Sequence, residues 1–380
     1  MNITANNITQ TLIALIALAG EIPKDINISE VSKKTLMNQI SKNKKDQILK
    51  VDKSHNRIRI RSPKGLEYLE AYSPDLYAHY MMVSNGHNFK TGDRIVTNQK
   101  LFSSAVLMMI RNGYQIDNIE ITHTPNHFGL NEDKEASDML IEGILNLGSN
   151  TFVKNMTIEP IISTTSLVPK DEKRFYTSKY LKYGHPITER INTSRISGLL
   201  LSAENMYSLY YLDEIKIYSA AEKEMTDLSR AIYKNAYGKP CDQTHAIFVS
   251  NQIPIRTDAI TKTFSSYHII PNDLPGDFVM RILETENWEE RLCLALYGES
   301  GKKPYDGIYQ DTPSWELVSC NYEKIKTARK IAGSERVNFI CMEWQLPLIK
   351  PLVKKLNCTV QTLTNEQNEI MLNYIKGEEK

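Results

Sequence analysis

The chain has 380 residues, 41% apolar and 24% charged, with a formal net charge of +1. That size supports two or three domains with ample core, and no low-complexity run or repeat marks a disordered or solenoid protein. Near-neutrality excludes a chain that attracts polyanions over its whole surface, so any such attraction has to come from a local field.

Ile8 to Ala19 carries a helical pattern, with Asn7 or Thr9 as N-cap and Gly20 as the stop. Its apolar run, Leu12 to Ala19, is too short to span a bilayer. It also lacks the basic region and cleavage pattern of a signal peptide, so a cytoplasmic protein is expected. This helix reads as the first of a winged helix-turn-helix covering residues 1–75.

The next stretch concentrates the basic charge. Between Lys33 and Lys64 lie eleven Lys and Arg residues opposed only by Asp46 and Asp52, a local +9 against +1 for the whole chain. Leu36 and Ile40, with Met37 beside them, recur at helical spacing, which leaves Lys33, Lys34, Asn38, Gln39 and Lys42 on the other face. Lys53-Ser54-His55-Asn56 reads as a turn, and Ile48 to Val51 leads into it. Arg57-Ile58-Arg59-Ile60-Arg61 then alternates with strict period two, which predicts Ile58 and Ile60 buried and three arginines on one exposed face. Ser62 to Gly65 ends the strand, and Leu66 to Tyr72 closes the module as a helix.

Residues 76–165 read as a helical or connecting region. Tyr72 to Thr97 looks transitional, Asn98 to Gly113 a helix with Leu101, Ala105, Met108 and Met109 on one face, and Ile116 to Thr124 a strand. His123 and His127 stand four apart, but Pro125 between them predicts a loop rather than a metal-binding helix. From residue 166 to 380 the pattern is that of an α/β domain with a mixed sheet. Leu199 to Ser202 and Met206 to Leu212 form a hairpin, and Ser219 to Tyr237 an amphipathic helix. Strands follow at 246–249, 267–270, 315–319, 337–342 and 359–363. Helices are expected at 259–264, 277–284, 322–332, 346–356 and 365–376, and residues 286–312 read as loop-rich. Cys241, Cys293, Cys320, Cys341 and Cys358 form no CxxC pair, so buried reduced thiols are expected rather than zinc ligands or disulfides.

Several stretches together resemble one family. They are RIRIRSPKGLEYL, NQKLFSSAVLMMIRNGY, FYTSKYLK, SRISGLLLSAENMYSLYYL and VNFICMEWQ, spread over roughly Thr9 to Leu356. In this order they resemble the replication-relaxation-type winged-helix proteins of Gram-positive plasmids and integrative conjugative elements. The resemblance implies a mobile-element DNA-binding protein acting in replication or transfer, with a nuclease-like C-terminal domain.

A restriction-endonuclease-like core needs a carboxylate on one strand and Asp/Glu-x-Lys on the next, to hold Mg²⁺ and to offset charge on the phosphate. Glu214-Ile215-Lys216 spells ExK, and Glu204 and Asp213 are the nearest further acids, but the preceding strand GLLLS offers no central Asp. The reading is a nuclease-like fold without an intact catalytic centre. No phosphate-binding GxxxxGK[ST], no GxGxxG and no GxSxG is present. Tyr207, Tyr210 and Tyr211 fit sheet packing better than a nucleophile role, and Ser194-Arg195 is a candidate phosphate contact.

The expected function is double-stranded DNA binding. Asn38 and Gln39 are the candidates for base edges, and Lys33, Lys34, Lys42, Lys44 and Lys45 for phosphates. Arg57, Arg59 and Arg61, with Lys64 beside them, would serve as wing contacts. The α/β domain would form a homodimer or recruit a replication or transfer protein, with no membrane partner. No cofactor is expected, Mg²⁺ being required only if the chain is an endonuclease using Glu204, Asp213, Glu214 and Lys216. A protein-interaction adaptor whose basic window meets an acidic partner is the third reading.

Overall fold

The computed structural model describes residues 8–26, 28, 31–83, 93–116, 168–178, 181, 194–211, 219–241, 243–250, 253, 260, 262–272, 274–299, 301 and 304–377. Helices and mixed sheets alternate along the chain, giving an α+β architecture. The N-terminal part is built around α1 (Ile8–Ala19), which is buried at every position from Thr11 to Ala19. A helix apolar all round belongs in a core or a membrane. Twelve residues rise only about 18 Å, well short of a hydrocarbon layer. Among the described residues no helix is long and apolar enough to cross a membrane.

Around α1 lie β1 (Ile22–Pro23), α2 (Lys33–Lys45), β2 (Leu49–Asp52), β3 (Arg57–Ile60) and α3 (Lys64–Tyr72). The three strands form an antiparallel sheet in the order β1-β3-β2. Ser32 caps α2 by accepting the Thr35 amide at 3.2 Å, and Leu36, Ile40 and Asn43 turn inward. Gly65 lets α3 close against the start of the hairpin. A Cβ there would stand 2.2 Å from the Ile48 carbonyl oxygen.

The stretch from Tyr72 to Thr97 is not merely transitional. It contains α4 (Pro74–Val83), and α5 (Asp93–Arg111) begins before the expected Asn98. Pro74 reads as a breaker but sits in the first turn, where its missing N–H costs nothing. Tyr77 and Tyr80 stand at helical spacing on the buried face of α4, but the buried polar His79 between them blurs the apolar pattern in the sequence. Met108 and Met109 are core residues, as expected. At the start of α5 the Gln99 amide donates to the Ala19 carbonyl at 2.6 Å, and at its end Arg111 pairs with Asp277 at 2.8 Å. This helix is a strut between the two halves.

The second half holds a six-stranded mixed sheet in sequential order. Its strands are β4 (Tyr114–Ile116), β5 (Lys173–Thr177), β6 (Gly198–Leu201), β7 (Met206–Tyr211), β8 (His245–Val249) and β9 (Ser266–Ile270). β5, β6 and β7 form an antiparallel meander, and β8 and β9 continue parallel to β7 after α6 (Ser219–Tyr237). The expected strand 116–124 lies, beyond Ile116, outside the described residues, as do His123 and His127.

Residues 286–312 are not loop-rich. After α7 (Leu274–Leu283), α8 (Trp288–Tyr297) buries Trp288, Leu292 and Cys293 and ends on Gly298 at φ 72°. The second sheet runs β10 (Gly307–Tyr309), β11 (Thr312–Glu316), β12 (Val337–Met342) and β13 (Cys358–Leu363). β11, β12 and β13 are parallel, joined by α9 (Glu323–Ala332) and α10 (Leu346–Val353), and α11 (Asn365–Lys376) closes the chain. β11 starts three residues earlier than the expected strand at 315–319. None of the five cysteines is in a disulfide.

The two sheets meet through a hydrogen-bonded chain. His245 Nδ1 lies 2.6 Å from Ser266 Oγ, which lies 3.3 Å from His268 Nε2, and His268 Nδ1 is 2.7 Å from the Ser319 carbonyl. A carbonyl only accepts, so His268 carries its proton on Nδ1 and takes the Ser266 hydroxyl proton at Nε2. Ser266 in turn accepts from His245. Burial pushes both imidazoles down, to about 4 for His245 and about 3 for His268, so both are neutral.

Candidate nucleic-acid interface

Helix α2 has two chemically opposite faces. Lys34, Asn38, Ser41 and Lys45 recur at four- and three-residue steps and are exposed, opposite buried Leu36, Ile40 and Asn43. Lys33, Lys42 and Lys44 flank that outer face and are also exposed. Of the two base-edge candidates only Asn38 points outward. Gln39 is half-buried, and its Nε2 donates to Thr9 Oγ1 at 2.5 Å and to Asn43 Oδ1 at 3.4 Å. The Gln39 amide is spent on holding α2 to α1.

The hairpin corrects a larger expectation. Every residue of β3 is buried, Arg57 at 1% and Arg59 at 3% exposure, so two of the three arginines do not face solvent. Arg57 donates to Glu21 Oε1 at 2.6 Å and to Asp52 Oδ2 at 3.0 Å. Asp52 also accepts from Ser54 and meets His55 at 2.8 Å, which shapes the turn. Burial alone would raise the Asp52 carboxyl, but Ser54, His55 and Arg57 together hold it well below the usual carboxylate range. Arg59 lies beside Tyr80 of α4, where its guanidinium opposes the rise that burial imposes on the phenol. Arg57–Ile60 is a strand with Ile58 and Ile60 buried, as expected, but burial does not alternate, because both faces of the strand are covered. Arg61 and Lys64 remain exposed, together with Lys50 and Lys53 of the hairpin.

The carboxylates sought at residues 204–216 do not form a centre among the described residues. Glu204 sits exposed on the β6–β7 turn, paired with Lys239 at 3.3 Å. Asp213, Glu214 and Lys216 lie outside the described residues. Ser194 Oγ and the Arg195 amide both donate to Glu222, each at 2.8 Å, and the Tyr210 hydroxyl donates to it at 2.7 Å. That carboxylate is fully buried and its oxygens are occupied.

A different acid–lysine set was missed in the sequence. Asp306 precedes β10, Glu316 ends β11, and Lys324 stands in the first turn of α9. Lys324 Nζ donates to Asp306 Oδ2 at 2.8 Å and also to Glu316, while the Glu316 amide donates to Asp306 Oδ2 at 2.9 Å. Burial pushes Asp306 up. It would push Glu316 up too, but Lys324 and Ser319 overcome it and hold that carboxyl below its usual range. The available signal was an acid on either side of one tight hairpin, followed by a lysine on the next helix. It was hidden because residues 286–312 read as loop. Among the described residues no group of three or more His, Cys, Asp and Glu is arranged to hold a metal ion.

No protein-family model matches the chain, and no curated protein or solved structure matches it.

Proposed function

We propose that residues 8–72 form a winged helix that binds double-stranded DNA, with α2 in the major groove. The observation that carries this is the outer face of α2, where Lys34, Asn38 and Lys45 align over a helix anchored from behind by Leu36, Ile40 and Asn43. A recognition helix needs that pairing of rigid support with outward donors. Asn38 matches the donor and acceptor pair on adenine in the major groove, and the lysines neutralise phosphates. The hairpin contributes Lys50, Lys53 and Arg61 from its surface, while Arg57 and Arg59 fix its position from inside. In keeping with the family resemblance, such a protein would act in replication, transfer or their regulation on a mobile genetic element. The test is fluorescence anisotropy with duplex fragments from the gene's own neighbourhood. Lys34→Glu/Lys45→Glu should weaken binding at least about tenfold, whereas unchanged affinity refutes the assignment and favours an adaptor.

A second reading, a Mg²⁺-dependent endonuclease, is favoured by the convergence of Asp306, Glu316 and Lys324. Asp306 and Glu316 would supply hard oxygen donors to the ion, and Lys324 a positive charge beside the phosphate. Mg²⁺ would have to displace the ammonium group that now bridges the carboxylates. Cleavage that needs Mg²⁺ and disappears in Glu316→Gln supports this reading, and binding without cleavage refutes it.

A further inference from the structure

A polar cleft of about 410 Å³ opens at the end of the second sheet where β11, β12 and β13 begin. That volume falls within the roughly 300–1,000 Å³ of small-ligand sites. Its lining is almost free of aliphatic surface: Tyr309, Gln310, Arg336, Asn338, Thr359 and Gln361 contribute, with Val360 the one aliphatic side chain. Asn338 is fixed by its neighbours, donating to Ser314 Oγ at 3.3 Å and accepting from Thr359 Oγ1 at 2.8 Å. Gln361 is different. Its Oε1 is shielded from solvent and has no hydrogen-bond partner, an arrangement that costs about 1–3 kcal/mol when left unmet. At the lip, Gln310 and Asp311 form the β10–β11 turn in left-handed backbone, at φ 47° and 59°. Positive φ at both positions is the ordinary geometry of a two-residue hairpin loop, so the turn simply forms the rim of the cleft.

The same end of the sheet is basic. The Asn357 amide donates to the Ser334 carbonyl at 3.3 Å, and Val337 N donates to the Asn357 carbonyl at 3.1 Å. Arg329 Nη2 reaches the Leu352 carbonyl at 2.8 Å. These bonds gather the C-terminal ends of α9 and α10 beside the start of β12. Lys330, Arg336, Lys354 and Lys355 are therefore exposed together there, against the exposed acids Asp311 and Glu335.

We infer that this cleft and its rim bind single-stranded nucleic acid, one base entering the cleft and the neighbouring phosphates lying on the basic rim. Tyr309 offers a ring on which a base stacks. Gln361 Oε1 accepts from an exocyclic amine or ring N–H, as amide side chains do on exposed base edges. Arg336, at the cleft wall, meets the first phosphate, and Lys354 and Lys355 the next. A duplex keeps its bases stacked and cannot place one in a recess without flipping it out. A peptide would find only Tyr309 and Val360 as apolar anchors in an otherwise polar cleft. The surface is separate from α2, so this inference does not rest on the duplex-binding proposal.

The experiment uses the full chain and a fluorescein-labelled oligothymidylate of about 12 nucleotides, a length within known single-strand site sizes. Arg336→Glu/Lys354→Glu should weaken binding at least about tenfold, and Tyr309→Ala at least about fivefold. Lys34→Glu/Lys45→Glu should leave it within about twofold. Lys355→Glu, at an exposed position, gives a second charge reversal that does not disturb the core, and should also weaken binding. Wild-type affinity in the Arg336→Glu/Lys354→Glu and Lys355→Glu proteins overturns the inference. So does no oligothymidylate binding by the wild type, or equal loss in the α2 variant. Absence of duplex binding, by contrast, counts only against the α2 proposal.

Discussion

Arg57 separates two accounts of the hairpin. In the structure its guanidinium is 1% exposed and shared between Glu21 at 2.6 Å and Asp52 at 3.0 Å, whose side chains are 7% and 13% exposed. Arg57→Ala removes the cation and leaves two nearly buried carboxylates without it. Breaking a buried pair in this way costs about 3–5 kcal/mol, mostly the penalty of the stranded charge. Glu21→Gln should cost less, since Asp52 still holds Arg57. All three tryptophans, Trp288, Trp315 and Trp344, lie in the second half, so intrinsic fluorescence does not report on this region. Hydrogen exchange read by mass spectrometry on peptides from α1 and β3 does. Arg57→Ala should speed exchange there at least about a hundredfold, the equivalent of roughly 3 kcal/mol in local opening. The salt dependence of duplex binding should keep its slope wherever the domain remains folded. Unchanged exchange combined with a slope reduced by about one would show that Arg57 is a surface phosphate contact, and would refute the buried-staple reasoning.

Two further outcomes follow from the buried polar groups and one from a glycine contact. His245 and His268 titrate below the unfolded value of about 6.5, so the unfolded chain binds protons that the folded chain refuses. Stability therefore falls as pH drops from about 6.5 toward 4, by about 3 kcal/mol from His245 alone. Asp277 and Glu284, pushed up by burial, act in the opposite sense. The check is therefore a difference: urea midpoints followed through Trp288, whose ring centroid lies 5.4 Å from that of His268. His268→Gln should flatten the acid dependence, and an unaltered pH profile contradicts the assignment. Lys324→Ala strands Asp306 and Glu316 and should cost about 3–5 kcal/mol, read from the fluorescence of Trp315 on the adjoining strand. Gly65→Ala forces a Cβ to within 2.2 Å of the Ile48 carbonyl. It should destabilise the α3–hairpin contact by about 1–3 kcal/mol, seen as faster exchange in β2 and α3.

Long periodic elements were legible because their burial is one-sided or complete. Ile8–Ala19, Lys33–Lys45 and Ser219–Tyr237 fall where the apolar spacing puts them. Continuous apolar strands such as β12 were equally plain. What failed was anything decided by a distant neighbour. The Arg57–Arg61 alternation specifies two faces but cannot say that Glu21 and Tyr80 cover the second one. Gln39 looks like an outward amide until Thr9, 30 residues earlier, is placed against it. The α8 helix was lost because its apolar residues run without a break from Leu292 to Tyr297, which shows no helical period, and its flanks are acidic and glycine-containing. Asp306, Glu316 and Lys324 converge through a three-residue strand too short to leave a pattern.

The most direct test of the central proposal is the salt dependence of duplex binding by the wild-type chain and by Lys34→Ala. The account predicts log affinity falling linearly with log salt, with the slope reduced by about 0.9 when one phosphate-contacting lysine is lost. Binding that ignores ionic strength, or a slope the Lys34→Ala protein leaves unchanged, would contradict it.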